Sequence, residues 1–238
     1  MATASGGSVL LLAAERGELT GLLARCRAVE VLRWGLDFAA RALLNGAPVL
    51  VVAGGPGARL AAEAVEKVLA RERVRAMLSI GTCGGLDPTL LRGDIVVAAE
   101  IHCAESGRVF RAWRPQCAQA YRSGVLLSVN RVIGTAAEKA ALRSRALAVE
   151  MEASAVAARA EERGLAVGAI RAVLDTAQES FSIDFNALRS NDGRFRHWAV
   201  VGAALAHPGS VVPELWRLRQ NLRIATARLG EFLAACCF

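Results

Sequence analysis

The chain has 238 residues, 54% hydrophobic and 21% charged, a balance that excludes an intrinsically disordered chain and suits one well-buried domain over residues 1–238. No apolar run approaches the roughly 20 residues that a membrane-spanning helix needs. The formal net charge of +7 is nearly all arginine, Lys67 and Lys139 being the only lysines, and no aromatic-interleaved basic stretch accompanies it, so no nucleic-acid partner is expected.

Met1 to Ser8 carries no Lys or Arg ahead of the apolar run Val9 to Ala14, so it lacks the charged region of a secretory signal, and a cytoplasmic protein is expected. From that run onward, short apolar segments alternate with helical patterns, which predicts an α/β fold. The predicted strands are Val9–Ala14, Pro48–Ala53, Ala76–Ile80, Ile95–Ala99, Val125–Ile133, Ala146–Val149 and Ala166–Leu174. Gly54-Gly55-Pro56-Gly57 joins the second strand to a helix whose apolar face is Leu60, Ala64, Val65, Val68 and Leu69. The third glycine of a dinucleotide-binding turn would fall at Leu60, so the loop reads as a tight turn and no dinucleotide is expected.

Residues 102–123 lack periodicity and read either as a mobile loop over a site or as a plain surface connection. A helix is predicted over Ala153 to Arg163, with Gly164 as its left-handed cap. From Pro213, a stripe of Leu215, Leu218, Leu222, Ala225, Leu229 and Phe232 predicts a long final helix used for core packing or a subunit contact. Cysteines 26, 83, 103, 117, 236 and 237 show no CxxC spacing and histidines 102, 197 and 207 form no ligand cluster, so neither a disulfide framework nor a metal site is expected.

Three segments carry chemistry. Glu150-Met151-Glu152 sets a carboxylate where an apolar strand becomes a helix, and a carboxylate can accept two hydrogen bonds at once, as the vicinal hydroxyls of a ribose require. The alternative is an acid that serves only the helix start. Asp175 ends the apolar run Ile170 to Leu174, where ligand-contacting groups of open α/β sheets are commonly found and where desolvation raises a carboxyl toward use as an acid. Its alternative is a turn former. Ser79-Ile80-Gly81-Thr82-Cys83-Gly84-Gly85-Leu86 is a loop whose small residues let backbone approach a ligand, with Thr82 offering a hydroxyl.

The order and spacing of these segments, with the continuation through Asp87-Pro88-Thr89-Leu90 and Gly93-Asp94-Ile95-Val96-Val97, resemble the nucleoside phosphorylase family. The core, roughly residues 8 to 180, is most similar to the methylthioadenosine/S-adenosylhomocysteine nucleosidases. The resemblance implies a central mixed, twisted sheet flanked by helices, cleavage of the N-glycosidic bond of a purine nucleoside, no cofactor, and a homo-oligomer, with a dimer expected. It implies that Asp175 donates a proton to the purine, Glu152 binds the ribose hydroxyls, Met151 packs on the sugar, Val132 and Ile133 line the base, and Thr82 orients nucleophile and ribose. Leu11 to Leu19 resembles the first-strand segment of that group, which makes Glu18 the base for the attacking water. Two departures stand out: Leu174 occupies a position where serine is usual, and Ser79 stands where hexameric purine phosphorylases carry an arginine. The second favours water over phosphate as nucleophile. Asp192-Gly193-Arg194, His207-Pro208-Gly209-Ser210 and Pro213 to Leu218 resemble instead phosphorylase-type proteins associated with hopanoid lipid synthesis, which keeps phosphorolysis open. A nucleoside-binding protein of the same fold without turnover is the remaining alternative.

Overall fold

A computed structural model of the chain describes residues 7–188, 190 and 208–238. The expectations placed on Met1 to Gly6, on the 192–194 segment and on His197 and His207 lie outside the described residues. Ten strands form one mixed sheet: β1 Ser8–Ala13, β2 Arg27–Val31, β3 Phe38–Leu44, β4 Ala47–Ala53, β5 Val74–Gly85, β6 Ile95–Cys103, β7 Val109–Arg111, β9 Arg122–Ser128, β10 Ala148–Glu150 and β11 Ala166–Asp175. Two short strands, β8 Gln116–Cys117 and β12 Cys236–Cys237, pair separately. The helices are α1 Thr20–Leu23, α2 Ala58–Leu69, α3 Ala136–Leu142, α4 Ala153–Glu161 and α5 Pro208–Ala234, with a 3₁₀ turn at Arg16–Leu19.

The sheet runs β10-β9-β6-β11-β5-β1-β4-β3-β2, with β7 pairing off this path to Glu100–His102 of β6. Strands β4, β1, β5 and β11 are mutually parallel, so their carboxyl ends open on one side of the sheet. Strand β10 pairs with β9 and also, antiparallel, with the last residues of the long β5, which closes five strands into a ring. Both faces are covered, as the unbroken apolar runs require. Leu10 and Leu12 of β1 face the side packed by α2 and α4, while Val9, Leu11 and Ala13 face the side packed by Ala225, Leu229, Phe232 and Leu233 of α5.

Helix α4 ends as the sequence predicts. Gly164 takes a φ of 63°, its N–H donates to Glu161 O, and Leu165 N–H donates to Ala160 O at 2.9 Å, the paired bonds of a Schellman cap. Other predicted elements change. Strand β9 stops at Ser128 rather than Ile133, because its neighbours β6 and β10 both end level with Ser128, which leaves Val132 and Ile133 in a loop. Residues 102–123 contain the end of β6 together with β7 and β8, so much of the segment is sheet-paired connection. The final helix begins at Pro208 and takes Pro213 into its interior. Strands β2, β3, β7, β8 and β12 are absent from the sequence-based expectation.

Candidate active site

The carboxyl ends of β1, β5, β10 and β11 surround a cavity of about 450 Å³. Glu18, Thr82, Val132, Ile133, Met151, Glu152 and Asp175 all contribute to its wall. They reach it from the 3₁₀ turn after β1, from β5, from the loop after β9, from the β10–α4 junction and from the end of β11.

Glu18 is held by four donors. Its Oε1 accepts from Thr82 N at 2.7 Å and Thr82 Oγ1 at 2.8 Å, and its Oε2 accepts from Ala14 N at 3.1 Å and Glu15 N at 3.2 Å. Three of these donors are fixed backbone groups. The Thr82 hydroxyl alone can turn its hydrogen away, opening a position on Oε1 for another donor while its own lone pairs accept. Gly81 makes the approach possible: a Cβ there would stand 2.8 Å from Glu18 Oε1, and its φ is +138°.

Two neighbouring acids divide their work at the β10–α4 junction. Glu150 Oε2 accepts from Glu152 N and Ala153 N, both at 2.9 Å, so Glu150 satisfies the start of α4, and Ser128 Oγ donates to its Oε1. The local helix-start role therefore belongs to Glu150, and Glu152 is left to face the cavity. Glu152 Oε1 accepts from Gly57 N at 2.7 Å, which makes the glycine turn after β4 part of the site. Burial first, then the charge of Glu150, pushes the Glu152 carboxyl up to about 8, against the opposing pull of Arg171 and the Gly57 N–H.

Arg171 was not foreseen. Its side chain rises from the interior of β11 and is fully buried, with Nη2 2.5 Å from Glu150 Oε2, 2.7 Å from Ser79 Oγ and 3.9 Å from Glu152 Oε2. A charged residue inside the otherwise apolar run Ala166 to Leu174 is the sequence signal for it, since a buried guanidinium needs a carboxylate partner. Lys139 was not foreseen either. This α3 residue is wholly buried and pairs with Asp175 Oδ2. Asp175 is itself buried, and desolvation raises its carboxyl while Lys139 pulls it back.

The cavity continues into an apolar end. Phe181 and Phe185 meet edge to face with centroids 5.3 Å apart, and Leu215, Leu218 and Leu222 of α5 complete the wall. The predicted stripe on the final helix thus splits. Ala225, Leu229 and Phe232 pack in the core and the earlier leucines line the site. Val132 is fastened by Asn186, which accepts from its N at 2.8 Å and donates to its O at 2.9 Å.

Residues 8–121 and 111–204 match the family model described as the phosphorylase superfamily, spanning most of the chain. The chain belongs to that superfamily. Solved structures agree on the fold. A 5′-methylthioadenosine/S-adenosylhomocysteine nucleosidase from Neisseria meningitidis, in complex with methylthio-immucillin-A, is similar with a TM-score of 0.70 at 19% identity, covering 96% of this chain and 97% of that one. The Helicobacter pylori nucleosidase of the same description gives 0.70 at 17% identity over 96% and 97% of the two chains. An S-adenosylhomocysteine nucleosidase from Streptococcus pyogenes, in complex with 5-methylthiotubericidin, gives 0.66 at 18% identity over 97% and 99%. Within the superfamily fold, three carboxylates of this chain's cavity wall, Glu18, Glu150 and Glu152, lie around the buried Arg171, and Asp175 is backed by Lys139. Among the described residues, no helix is long and apolar enough to cross a membrane.

Proposed function

We propose that this protein hydrolyses the N-glycosidic bond of an adenosine-like purine nucleoside carrying a 5′ substituent. The observation that carries the reading is the charge balance around Glu18. Three carboxylates share the buried Arg171, whose Nη2 is already engaged by Glu150 and Ser79. With a nucleoside bound and Glu152 ionised, a phosphate dianion brought there would meet three carboxylates; among the described residues the buried cations Arg171 and Lys139 are already paired, and the arginines of the cavity wall, Arg131 and Arg219, are exposed. A neutral water needs only a base.

In this account, cleavage builds positive charge on the ribose as the bond to the base lengthens. Glu152 binds the ribose hydroxyls, and its charge, with that of Glu18, favours the cationic sugar. Glu18 takes a proton from the water as Thr82 Oγ1 turns to accept, and Asp175 gives a proton to the departing purine, so the base leaves neutral. Met151 packs on the sugar, with Val132 and Ile133 beside the base. The apolar end formed by Phe181, Phe185 and the α5 leucines suits a 5′ substituent of low polarity. The relatives in complex with adenosine-like inhibitors agree with this class of ligand.

A panel of adenosines differing at the 5′ position, assayed for free adenine, tests the reading. Turnover is expected with apolar 5′ substituents and not with pyrimidine nucleosides. Tight binding of the panel without adenine release would instead make the protein a nucleoside-binding member of the fold.

A further inference from the structure

Lys139 is one of two lysines in the chain, and its side chain has no solvent exposure. Helix α3 starts at a capping box, Thr135 accepting from Glu138 N at 3.2 Å, which sends Glu138 outward to Arg131 and turns Lys139 inward. The ammonium uses all three donors: one to Asp175 Oδ2, and one each to Thr176 O and Glu179 O at 2.8 Å. The Phe181 ring, part of the cavity wall, lies 5.5 Å away. Burying an ammonium is costly without an acidic partner, and Asp175 is that partner: burial favours its protonated form, and it becomes the full counter-charge of Lys139 when its proton leaves. At Leu174, beside Asp175, there is no hydroxyl, so among the described residues Lys139 is the hydrogen-bond donor to this carboxyl.

We propose that Lys139 is the positioning residue of the proton donor, fixing Asp175 from behind and stabilising the carboxylate left when its proton goes to the base. This rests on the reading of Asp175 as the acid. In the step, the Asp175 O–H bond breaks as a bond from hydrogen to a ring nitrogen of the base forms. The glycosidic electron pair passes to the base, and the new carboxylate stays paired with the ammonium. Without Lys139, a carboxyl in this buried position would hold its proton too firmly and would be free to rotate. The other groups that bear on Asp175 are Glu179, Arg92 and the buried Cys83 thiol, of which Arg92 and Glu179 oppose each other as an ion pair 2.5 Å apart.

The test compares two leaving groups. An adenosine needs its base protonated, whereas a nitrophenyl riboside releases an anion stable enough to leave unaided. Lys139→Met should lower kcat for the adenosine at least tenfold and change the nitrophenyl riboside by no more than about twofold, with Lys139→Arg recovering most of the loss. In protein labelled with ¹³C-carboxyl aspartate, the Asp175 signal, assigned through Asp175→Asn, should titrate about 1 to 3 pH units higher in Lys139→Met. Lys139→Gln, which keeps donors for the Thr176 and Glu179 carbonyls, should give the same results if the Met variant does not fold. Equal losses on both substrates, no loss on either, or an unmoved Asp175 titration would overturn the proposal while leaving the acid in place. Full adenosine turnover by Asp175→Asn would remove the acid itself.

Discussion

Glu18 Oε1 lies 2.7 Å from the backbone nitrogen of Thr82 and 2.8 Å from its hydroxyl, joining the turn after β1 to the carboxyl half of β5. Two segments 64 residues apart in the sequence, carried by the neighbouring strands β1 and β5, thereby fix the candidate base at one height in the cavity. Its position depends on a residue with no side chain, Gly81.

Gly81→Ala should accordingly impair catalysis more than binding. The added Cβ would stand 2.8 Å from Glu18 Oε1 in a backbone conformation, φ +138°, that favours glycine. A stability loss of about 1–3 kcal/mol in urea denaturation and at least a tenfold fall in kcat are expected. A folded variant with undiminished kcat would show that the Glu18 position is not critical.

Glu152 should make ligand binding depend on pH. Its carboxyl is pushed up to about 8 by burial and by Glu150, so the free protein holds a proton there at neutral pH, whereas two ribose hydroxyls are best accepted by the ionised form. Affinity should weaken by up to about tenfold per pH unit as pH falls below 8, with proton release seen by calorimetry in buffers of different ionisation enthalpy. Glu152→Gln should abolish that release and cost about 1.5–3 kcal/mol for the ribonucleoside, much less for its 2′-deoxy analogue. For stability the sign is reversed. The raised folded-state value means that this group's contribution is fully present below its ordinary value of 4.5 and is lost as pH rises through about 8. Binding that releases no proton at pH 6.5 would contradict the assignment.

Arg171→Met tests the buried cluster as structure. The change leaves Glu150 buried without its guanidinium partner while it still caps α4. A loss of about 3–5 kcal/mol is expected, partly recovered by adding Glu150→Gln, because the second change removes the uncompensated charge. If the double variant is no more stable than the single one, the ion pair is not what Arg171 supplies to the fold.

How far the sequence reveals this molecule depends on where each signal lies. The parallel strands β1 and β4, the Ala76–Ile80 part of β5, and β11 apart from Arg171 are apolar runs and can be read directly, whereas the small residues from Gly81 to Gly85, expected as a loop, continue β5 as strand. Strand β3, Phe38–Leu44, is rich in alanine and leucine and has no strand propensity of its own. It exists because it pairs along its whole length with β4, and its signal is the turn between them, Asn45-Gly46, with φ of 52° and 78°. Strand β2 is exposed throughout, so it carries no alternation to detect. At the site, Glu150-Met151-Glu152 is visible as a motif, but which acid caps α4 and which faces the cavity depends on Arg171 and Gly57, residues distant in sequence. Lys139 is hidden for a similar reason. Nothing in Ala136–Leu142 says that the lysine faces inward, and its burial depends on the carbonyls of Thr176 and Glu179 closing over it.

In the proposed reaction water, not phosphate, attacks the sugar, at a site where three carboxylates surround one arginine whose Nη2 is already bonded to Glu150 and Ser79. The most direct measurement is product analysis of a cleaved 5′-substituted adenosine in phosphate-free buffer and in millimolar phosphate. Free ribose sugar is expected in both, at rates that do not change with phosphate. Ribose 1-phosphate as the product, with turnover lost when phosphate is withdrawn, would contradict it.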